Sequence, residues 1–262
     1  MKVGEALRAT SIDRCEARLL LAAATGFSEA SVLAHPEREL DSQVESRFLE
    51  MSARRAAGEP VAYILGHKEF YGLELAVTPA VLIPRPETEL LVDLALDRNP
   101  ASVLDMGTGS GAIALAIKRH RPKARVIATD ASAAALQVAQ RNATRYSLDV
   151  ELRHGCWFEP VAGERFEAII SNPPYVLIDD PHLEALPHEP RLALLGGADG
   201  LDAFRVLARE APAHLLPGGW LLVEHGAGQQ DAVRALLEAA GLETTASWPD
   251  LAGIPRVSGG KR

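Results

Sequence analysis

Only two cysteines, Cys15 and Cys156, occur in the 262 residues, and neither belongs to a C-x-x-C pair. No disulfide framework and no cysteine-rich zinc site is therefore written into the chain, and single buried or half-buried thiols are expected at both positions. Aromatic residues are scarce at 5% and the formal net charge is −8. That balance argues against a protein that coats nucleic acid through Lys and Arg or stacks bases along a groove. No apolar run approaches the roughly 20 residues a membrane helix needs, and Met1 to Thr10 carries no apolar signal core, so a cytoplasmic chain with no membrane partner is expected. His182 and His188 fall in an irregular, Pro-flanked loop and are read as solvated, so no metal is expected. Internal repeats and low-complexity tracts are also missing. What remains, 47% hydrophobic and 24% charged residues, is ordinary for a globular chain able to bury one large or two modest cores.

The patterning changes along the chain. From Lys2 to about Ala57, apolar residues such as Leu7, Leu19, Leu20, Leu33, Phe48 and Leu49 recur at helical spacing, punctuated by Gly26 and Pro36, which predicts a small helical domain over residues 1–70. Glu69 to Val81 alternates Phe70, Leu73, Leu75 and Val77 around Gly72, which suits a hairpin, and residues 71–90 are assigned to a hairpin and linker. From Ala101 onward strands alternate with helices, the pattern of an α/β doubly wound sheet over residues 91–262. The expected strands include Arg125–Asp130, Ala168–Ser171 and Trp220–Glu224, the last after the turn Pro217-Gly218-Gly219. A helix over Gln229–Ala240 and a closing antiparallel strand pair follow.

Two motifs carry chemistry. Ser102-Val103-Leu104-Asp105-Met106-Gly107-Thr108-Gly109-Ser110-Gly111 runs from a short strand into the helix-forming Ala112 to Ile117. Its glycines let backbone approach a ligand without Cβ atoms in the way, and the N–H groups opening the helix offer donors. The next strand ends in Asp130, at the distance where a βαβ unit brings a carboxylate to a ribose. The order is neither G-x-G-x-x-G nor a P-loop, because no Gly-Lys-Ser/Thr follows. Asp105 suits either an ammonium group or a tie within the loop itself. The second motif, Asn172-Pro173-Pro174-Tyr175, follows an apolar strand. Each Pro fixes its own φ and pushes the preceding residue toward extended geometry, so the carbonyls form a rigid rim. The Asn172 side-chain oxygen and a nearby backbone carbonyl can each accept one N–H of a planar NH2 group, with the Tyr175 ring covering the reacting nitrogen. A Pro-rich turn ending a strand is the plain alternative. Both motifs end strands of one sheet, where open α/β folds bind ligands.

The D-x-G-x-G-x-G loop resembles the S-adenosylmethionine loop of Rossmann-like methyltransferases. With Gly58-Glu59-Pro60-Val61-Ala62-Tyr63-Ile64-Leu65-Gly66, Leu82-Ile83-Pro84-Arg85-Pro86-Glu87-Thr88-Glu89, Asn172 to Tyr175 and Leu222-Val223-Glu224-His225-Gly226, the chain resembles the HemK/PrmC family of protein-(glutamine-N5) methyltransferases almost from end to end. That resemblance implies a Rossmann-like S-adenosylmethionine-dependent methyltransferase sheet behind a helical substrate-docking domain. It implies methyl transfer from S-adenosyl-L-methionine, leaving S-adenosyl-L-homocysteine, to the side-chain amide of the glutamine in the GGQ motif of class I peptide chain release factors, which serve translation termination. It assigns Gly107, Thr108, Gly109, Ser110 and Gly111, with Asp130, Trp157 and Asn172, to the cofactor. It assigns Asn172, Pro173, Pro174 and Tyr175 to catalysis and to the substrate glutamine. Trp157 either lines the adenine pocket or plugs the sheet edge. Arg85 and Glu87 are expected to hold the linker, and His225 to be structural. Cys156 replaces the family's usual acidic residue before Trp157, so that position is left out of the expected site, and the 181–190 stretch is short for the family. A ribosomal-protein glutamine methyltransferase is the nearest alternative. An adenine-N6 methyltransferase on nucleic acid is another, but nucleic acid is not expected as substrate. A monomer is expected.

Overall fold

The computed structural model describes residues 1–262 apart from the side chain of His182, so the solvated reading of that imidazole lies outside the described residues. Its contacts divide the chain into two units, Met1–His67 and Lys68–Arg262. In the first, five helices follow one another: α1 (Val3–Ala9), α2 (Arg14–Thr25), α3 (Glu29–Ala34), α4 (Ser42–Ala56) and α5 (Val61–Leu65). Their ends are set by short polar side chains. Asp13 accepts the Cys15 N–H at 2.7 Å and Asp41 accepts the Val44 N–H at 2.8 Å, satisfying donors that have no partner inside a helix. Gly26 stops α2 in the left-handed region at φ 74°, where an L side chain is strained. Leu20, Leu21, Val32, Phe48 and Ile64 form the core. Leu19, Leu33 and Leu49, expected on apolar helix faces, are exposed instead, because each is one position out of phase with its buried neighbour (Leu20, Val32 and Phe48). Both thiols also depart from expectation: Cys15, in the capped first turn of α2, and Cys156, in a surface loop, are exposed.

A hairpin follows, β1 (His67–Phe70), whose first residue still belongs to the first unit, and β2 (Leu73–Ala76), turned by Tyr71 and Gly72 at φ 50° and 72°. Two successive positive φ values are the signature of the turn that matches strand twist. After α6 (Glu89–Asp97), strands and helices alternate: β3 (Ser102–Met106), α7 (Ala112–His120), β4 (Arg125–Asp130), α8 (Ala133–Tyr146), β5 (Glu151–His154), β6 (Phe166–Ser171), α9 (Asp202–His214), β7 (Leu215–Glu224) and α10 (Gln230–Ala239). Two last strands, β8 (Glu243–Pro249) and β9 (Pro255–Lys261), close the chain. The seven-stranded sheet has the order β5-β4-β3-β6-β7-β9-β8. β3 to β7 pair in parallel and β9 runs antiparallel to both β7 and β8. Strand β7 begins five residues before the expected Trp220. Leu215 opposite Phe166 and Trp220 opposite Ala168 bracket an irregularity in the register, so the Pro217-Gly218-Gly219 turn lies inside the strand as a bulge.

The central strands are buried on both faces, which explains runs such as Phe166, Ala168, Ile169 and Ile170 where alternation would mark a half-exposed strand. Ala168 and Ile170 join one apolar cluster with Leu91, Ile113 and Ile117, while Ile169 joins the other with Phe204, Leu207 and Val233.

The helical unit offers a direct test of phase. Phe48→Ala, at a side chain with no exposed surface, should destabilise that unit by about 3–5 kcal/mol, whereas Leu49→Ala should stay within about 0.5 kcal/mol. Urea unfolding of the two variants checks this, and equal losses would contradict the packing described.

Candidate functional site

β3 and β4 end side by side, Met106 opposite Thr129, and the glycine loop closes across that pair. The Gly107 and Thr108 N–H groups both donate to the Thr129 carbonyl, at 2.9 and 3.0 Å, and the Gly109 N–H donates to Asp130 Oδ2 at 2.9 Å. Asp130 Oδ1 accepts the Ser132 N–H at 2.8 Å, so one carboxylate orders the loop and the start of α8 together. Gly107 and Gly109 have φ of 75° and 56°, and a Cβ on either would meet nothing within 4 Å. Backbone strain alone therefore demands glycine there, and open space lies in front of both. Gly111 differs. A Cβ there would press on Leu115 Cδ1 at 3.1 Å and Ala139 Cβ at 3.3 Å, so this glycine lets α7 and α8 pack rather than facing a ligand.

Asp105 is fully buried beneath the loop. Its Oδ2 accepts the Thr108 hydroxyl at 2.6 Å and the Ala114 N–H of α7 at 3.1 Å, which makes it a tie between strand, loop and helix. Its Oδ1 is buried with no hydrogen-bond partner among the described residues. Burial pushes the carboxyl up to about 7 against those two bonds, and the Asp130 charge adds to the rise. Asn142 of α8, absent from the sequence reading, fixes the loop from behind. Its side-chain NH2 donates to the Ser110 carbonyl at 2.8 Å and the Ala76 carbonyl at 3.0 Å, and its Oδ1 accepts the Ala76 N–H at 2.7 Å.

On the other side of β3, Ser171 ends β6 opposite Met106 and its hydroxyl donates to the Met106 carbonyl at 2.8 Å. Asn172 follows, and its Nδ2 donates to Thr88 Oγ1 at 3.2 Å. The Asn172 Oδ1 and the Pro173 carbonyl accept no hydrogen bond from any described residue. The segment is held from outside. Val176 N–H donates to the Leu194 carbonyl and Gly196 N–H to the Val176 carbonyl, both at 2.8 Å. A Cβ on Gly196 would lie 2.7 Å from Tyr175 Cα and 2.8 Å from the Pro174 carbonyl. Gln229 Nε2 donates to the Tyr175 carbonyl at 3.2 Å.

A cavity of about 450 Å³ opens between these edges, a size suited to a cofactor. Gly107, Thr108, Gly109, Ser110 and Asp130 line one side; Asn172, Pro173 and Pro174 line another, and Trp157 borders it from the loop after β5 at φ 48°. Cys156, left out of the expected site, also lines it, as do Thr88 and Leu192. Two expected members do not: Gly111, for the packing reason given, and Tyr175. The Tyr175 ring packs on the apolar cluster of α9, α10 and β7, and its hydroxyl lies 3.4 Å from Glu224 Oε1. Burial, with the nearby Glu224 carboxyl, raises the phenol.

Arg85 pairs with Glu189, whose other oxygen accepts the Ile83 N–H at 3.1 Å, so Arg85 holds the linker as expected, while Glu87 is exposed. His225 is buried between Ser258 Oγ and the Gly226 carbonyl, each at 2.9 Å, and burial lowers its pKa; its role is structural. His188 is half-buried rather than free in solvent. Among the described residues no cluster of His, Cys, Asp or Glu could hold a metal ion, and no helix is long and apolar enough to cross a membrane. Asn142, Glu189, Gly196 and Gln229 had no sequence signal beyond the Gly196-Gly197 and Glu189-Pro190 pairs, since each acts through a partner distant in sequence.

Solved structures resemble this fold. A methyltransferase from Pyrococcus furiosus superposes with a TM-score of 0.58 at 20% identity, over 81% of this chain and 98% of that one. The Thermus thermophilus 16S rRNA N2 G1207 methyltransferase, solved with AdoMet and guanosine, gives 0.54 at 21%, over 75% of this chain and 49% of that one. Residues 2–66 match the PrmC N-terminal domain and residues 86–185 the methyltransferase small domain. Release factor glutamine methyltransferases from Xylella fastidiosa and Burkholderia pseudomallei are 49% and 48% identical to the chain. They cover 95% and 98% of it, and it covers 94% and 95% of them. With relatives this similar across nearly its whole length, the chain belongs to the release factor glutamine methyltransferase family.

Proposed function

We propose that the protein transfers a methyl group from S-adenosyl-L-methionine to the side-chain amide nitrogen, N5, of the glutamine in the GGQ motif of class I peptide chain release factors. The observation that carries this reading is the rim of acceptors beside the glycine loop: Asn172 Oδ1 and the Pro173 carbonyl, both without partners among the described residues and both on rigid backbone. The open space before Gly107 and Gly109 fits a ligand that approaches backbone closely. Asp130 at the cavity wall suits ribose hydroxyls and Trp157 suits the adenine.

An amide nitrogen is a weak nucleophile because its lone pair is delocalised into the carbonyl. When bound, S-adenosylmethionine supplies a methyl group on a positively charged sulfur and departs as S-adenosylhomocysteine. The protein's part is orientation and electrostatics. Asn172 Oδ1 and the Pro173 carbonyl each accept one N–H of the glutamine NH2, holding its plane and favouring the positive charge that develops on nitrogen as the new C–N bond forms. The proton then leaves to solvent. Pro174 stiffens the rim, and Tyr175 steadies it from behind through Glu224 rather than from above the amide.

The rim reads only an NH2 group and its plane, so the choice of one glutamine must come from contacts remote from the chemistry. We assign that docking to the helical unit. A truncated chain beginning at Lys68 should bind S-adenosylmethionine and lose most methylation of an intact release factor. Full-length rates from the folded, truncated chain would remove the docking role.

Asp130→Ala should weaken S-adenosylmethionine binding by about 1.5–3 kcal/mol, the range for hydrogen bonds to a charged group. Calorimetry measures it, and unchanged affinity takes Asp130 out of the pocket. Asn172→Ala should lower kcat far more than it weakens cofactor binding, read by steady-state kinetics on release factor beside the same calorimetry. Equal losses in both would reduce Asn172 to a cofactor contact.

A further inference from the structure

A single exposed leucine or isoleucine is ordinary; where such side chains gather carries information. In the Lys68–Arg262 unit the exposed large hydrophobic residues are Leu177, Ile178, Leu192, Leu251 and Ile254. The first three lie in the connection from β6 to α9, and the last two in the turn between β8 and β9. Because β9 runs antiparallel to both β7 and β8, β8 ends at the same edge of the sheet as β3, β6 and β7. All five therefore leave the sheet at the edge that carries the glycine loop and Asn172. Among the described residues of this unit, the opposite edge and the helix faces carry none.

The apolar surface begins inside the site. Leu192 lines the cavity and is still 68% exposed, so it belongs both to the wall and to the outside. Ile178 and Leu192 stand on two segments tied to one another, Val176 N–H donating to the Leu194 carbonyl at 2.8 Å and Ile178 N–H to the Gly197 carbonyl at 3.2 Å. Leu251 is wholly exposed, yet its turn is built. Asp250 Oδ1 accepts the Ala252 N–H at 2.9 Å and the Ile254 N–H at 3.0 Å, its Oδ2 accepts from Arg256 Nε at 3.2 Å, and its own N–H donates to the Ile254 carbonyl at 2.8 Å. Apolar side chains held out on fixed backbone need little further ordering when a partner covers them. β9 and β8 are the second and third strands from β6. At about 4.8 Å a strand, their turn lies roughly 10–15 Å along the edge from the Asn172 rim, the span of about four extended residues.

The chemistry limits what can cover this edge. A glutamine side chain is short, so when its NH2 meets Asn172 and the Pro173 carbonyl, the backbone that carries it lies against the cavity mouth. A second copy of the chain or a lipid surface seated there would close that mouth. We infer that this edge is an apolar seat for the release-factor segment that carries the glutamine, with bare glycine backbone against Leu192 and Ile178 and an apolar side chain, about four residues along, against Leu251. This rests on the methyl-transfer reading above. The helical unit would then choose the protein, and the seat would place the segment.

The test uses the full-length enzyme, intact release factor and S-adenosylmethionine, with the methylated amide identified by mass spectrometry. Contacts remote from the reacting atoms are made equally before and during transfer, so their loss falls on KM rather than kcat. Ile178→Ser and Leu251→Ser should each raise KM for release factor about fivefold or more, as expected for apolar side chains covered on binding, and the double variant should raise it further, with S-adenosylmethionine affinity by calorimetry unchanged. Leu251→Met, which keeps an apolar side chain, should stay near the wild-type KM. Wild-type KM in both serine variants, an equal rise in Leu251→Met, or a parallel loss of cofactor affinity would each overturn the inference. So would a wild-type dimer in sedimentation that Leu251→Ser dissociates, since the edge would then belong to a second copy. Should the serine variants fail to fold, hydrogen exchange on the wild type decides: release factor must slow exchange at residues 177–178 and 250–254, and unchanged exchange there overturns the seat. A wild-type enzyme that binds the cofactor but methylates no glutamine in release factor would defeat the functional reading itself, an outcome distinct from active wild type with indifferent variants.

Discussion

Parallel pairing of β3 with its two neighbours is the constraint on which the rest of the site depends. Met106 lies opposite Thr129 on one side and opposite Ser171 on the other. Because parallel strands end at the same edge, the glycine loop, Asp130 and Asn172 leave the sheet together. A slip of one residue in either pairing would turn every side chain of the slipped strand to the opposite face and carry Asn172 or Asp130 away from the loop. Ser171 reinforces the register by donating to the Met106 carbonyl, and the double acceptance by Thr129 does so on the opposite side.

Around that edge the polar groups form supporting layers. Asp105, Asp130 and Asn142 secure the glycine loop through its backbone and through the Thr108 hydroxyl. Gly196 and Gln229 brace the Pro-Pro-Tyr segment from outside. Thr88 accepts a hydrogen bond from the Asn172 side-chain amide on the rim. Asp105 and Glu224 are both nearly free of solvent and both pushed up to about 7, chiefly by burial. Each binds a proton more readily in the folded chain than in the unfolded one. By linkage, the stability they contribute is fully present below the ordinary carboxylate pKa and is lost as pH rises through the folded value near neutrality.

Much of this was legible before folding. The glycine loop, Asp130 and the Asn-Pro-Pro-Tyr run were readable because each places its residues within a few positions of one another. The residues that hold them were not. Asn142 lies in the middle of a helix with nothing to distinguish it from an exposed polar residue, and Glu189 and Gln229 lie in or beside loops. Tyr175 shows the opposite failure: the motif named it, but proximity in sequence cannot say to which side of a strand end a ring turns.

By itself, the sequence determined the alternation of strands and helices, the helical first unit, the loop where only glycine relieves backbone strain, and the stiff proline rim. Those properties follow from local sterics and periodicity, which act over a few residues. Tertiary structure decided that Gly111 serves helix packing, that Cys156 borders the cavity and that Tyr175 reaches toward Glu224. It also decided that Thr88 accepts from the Asn172 side-chain amide. These are hydrogen-bond and packing choices between groups tens to more than a hundred residues apart, and the direction of such a bond is settled only when both partners are fixed in space.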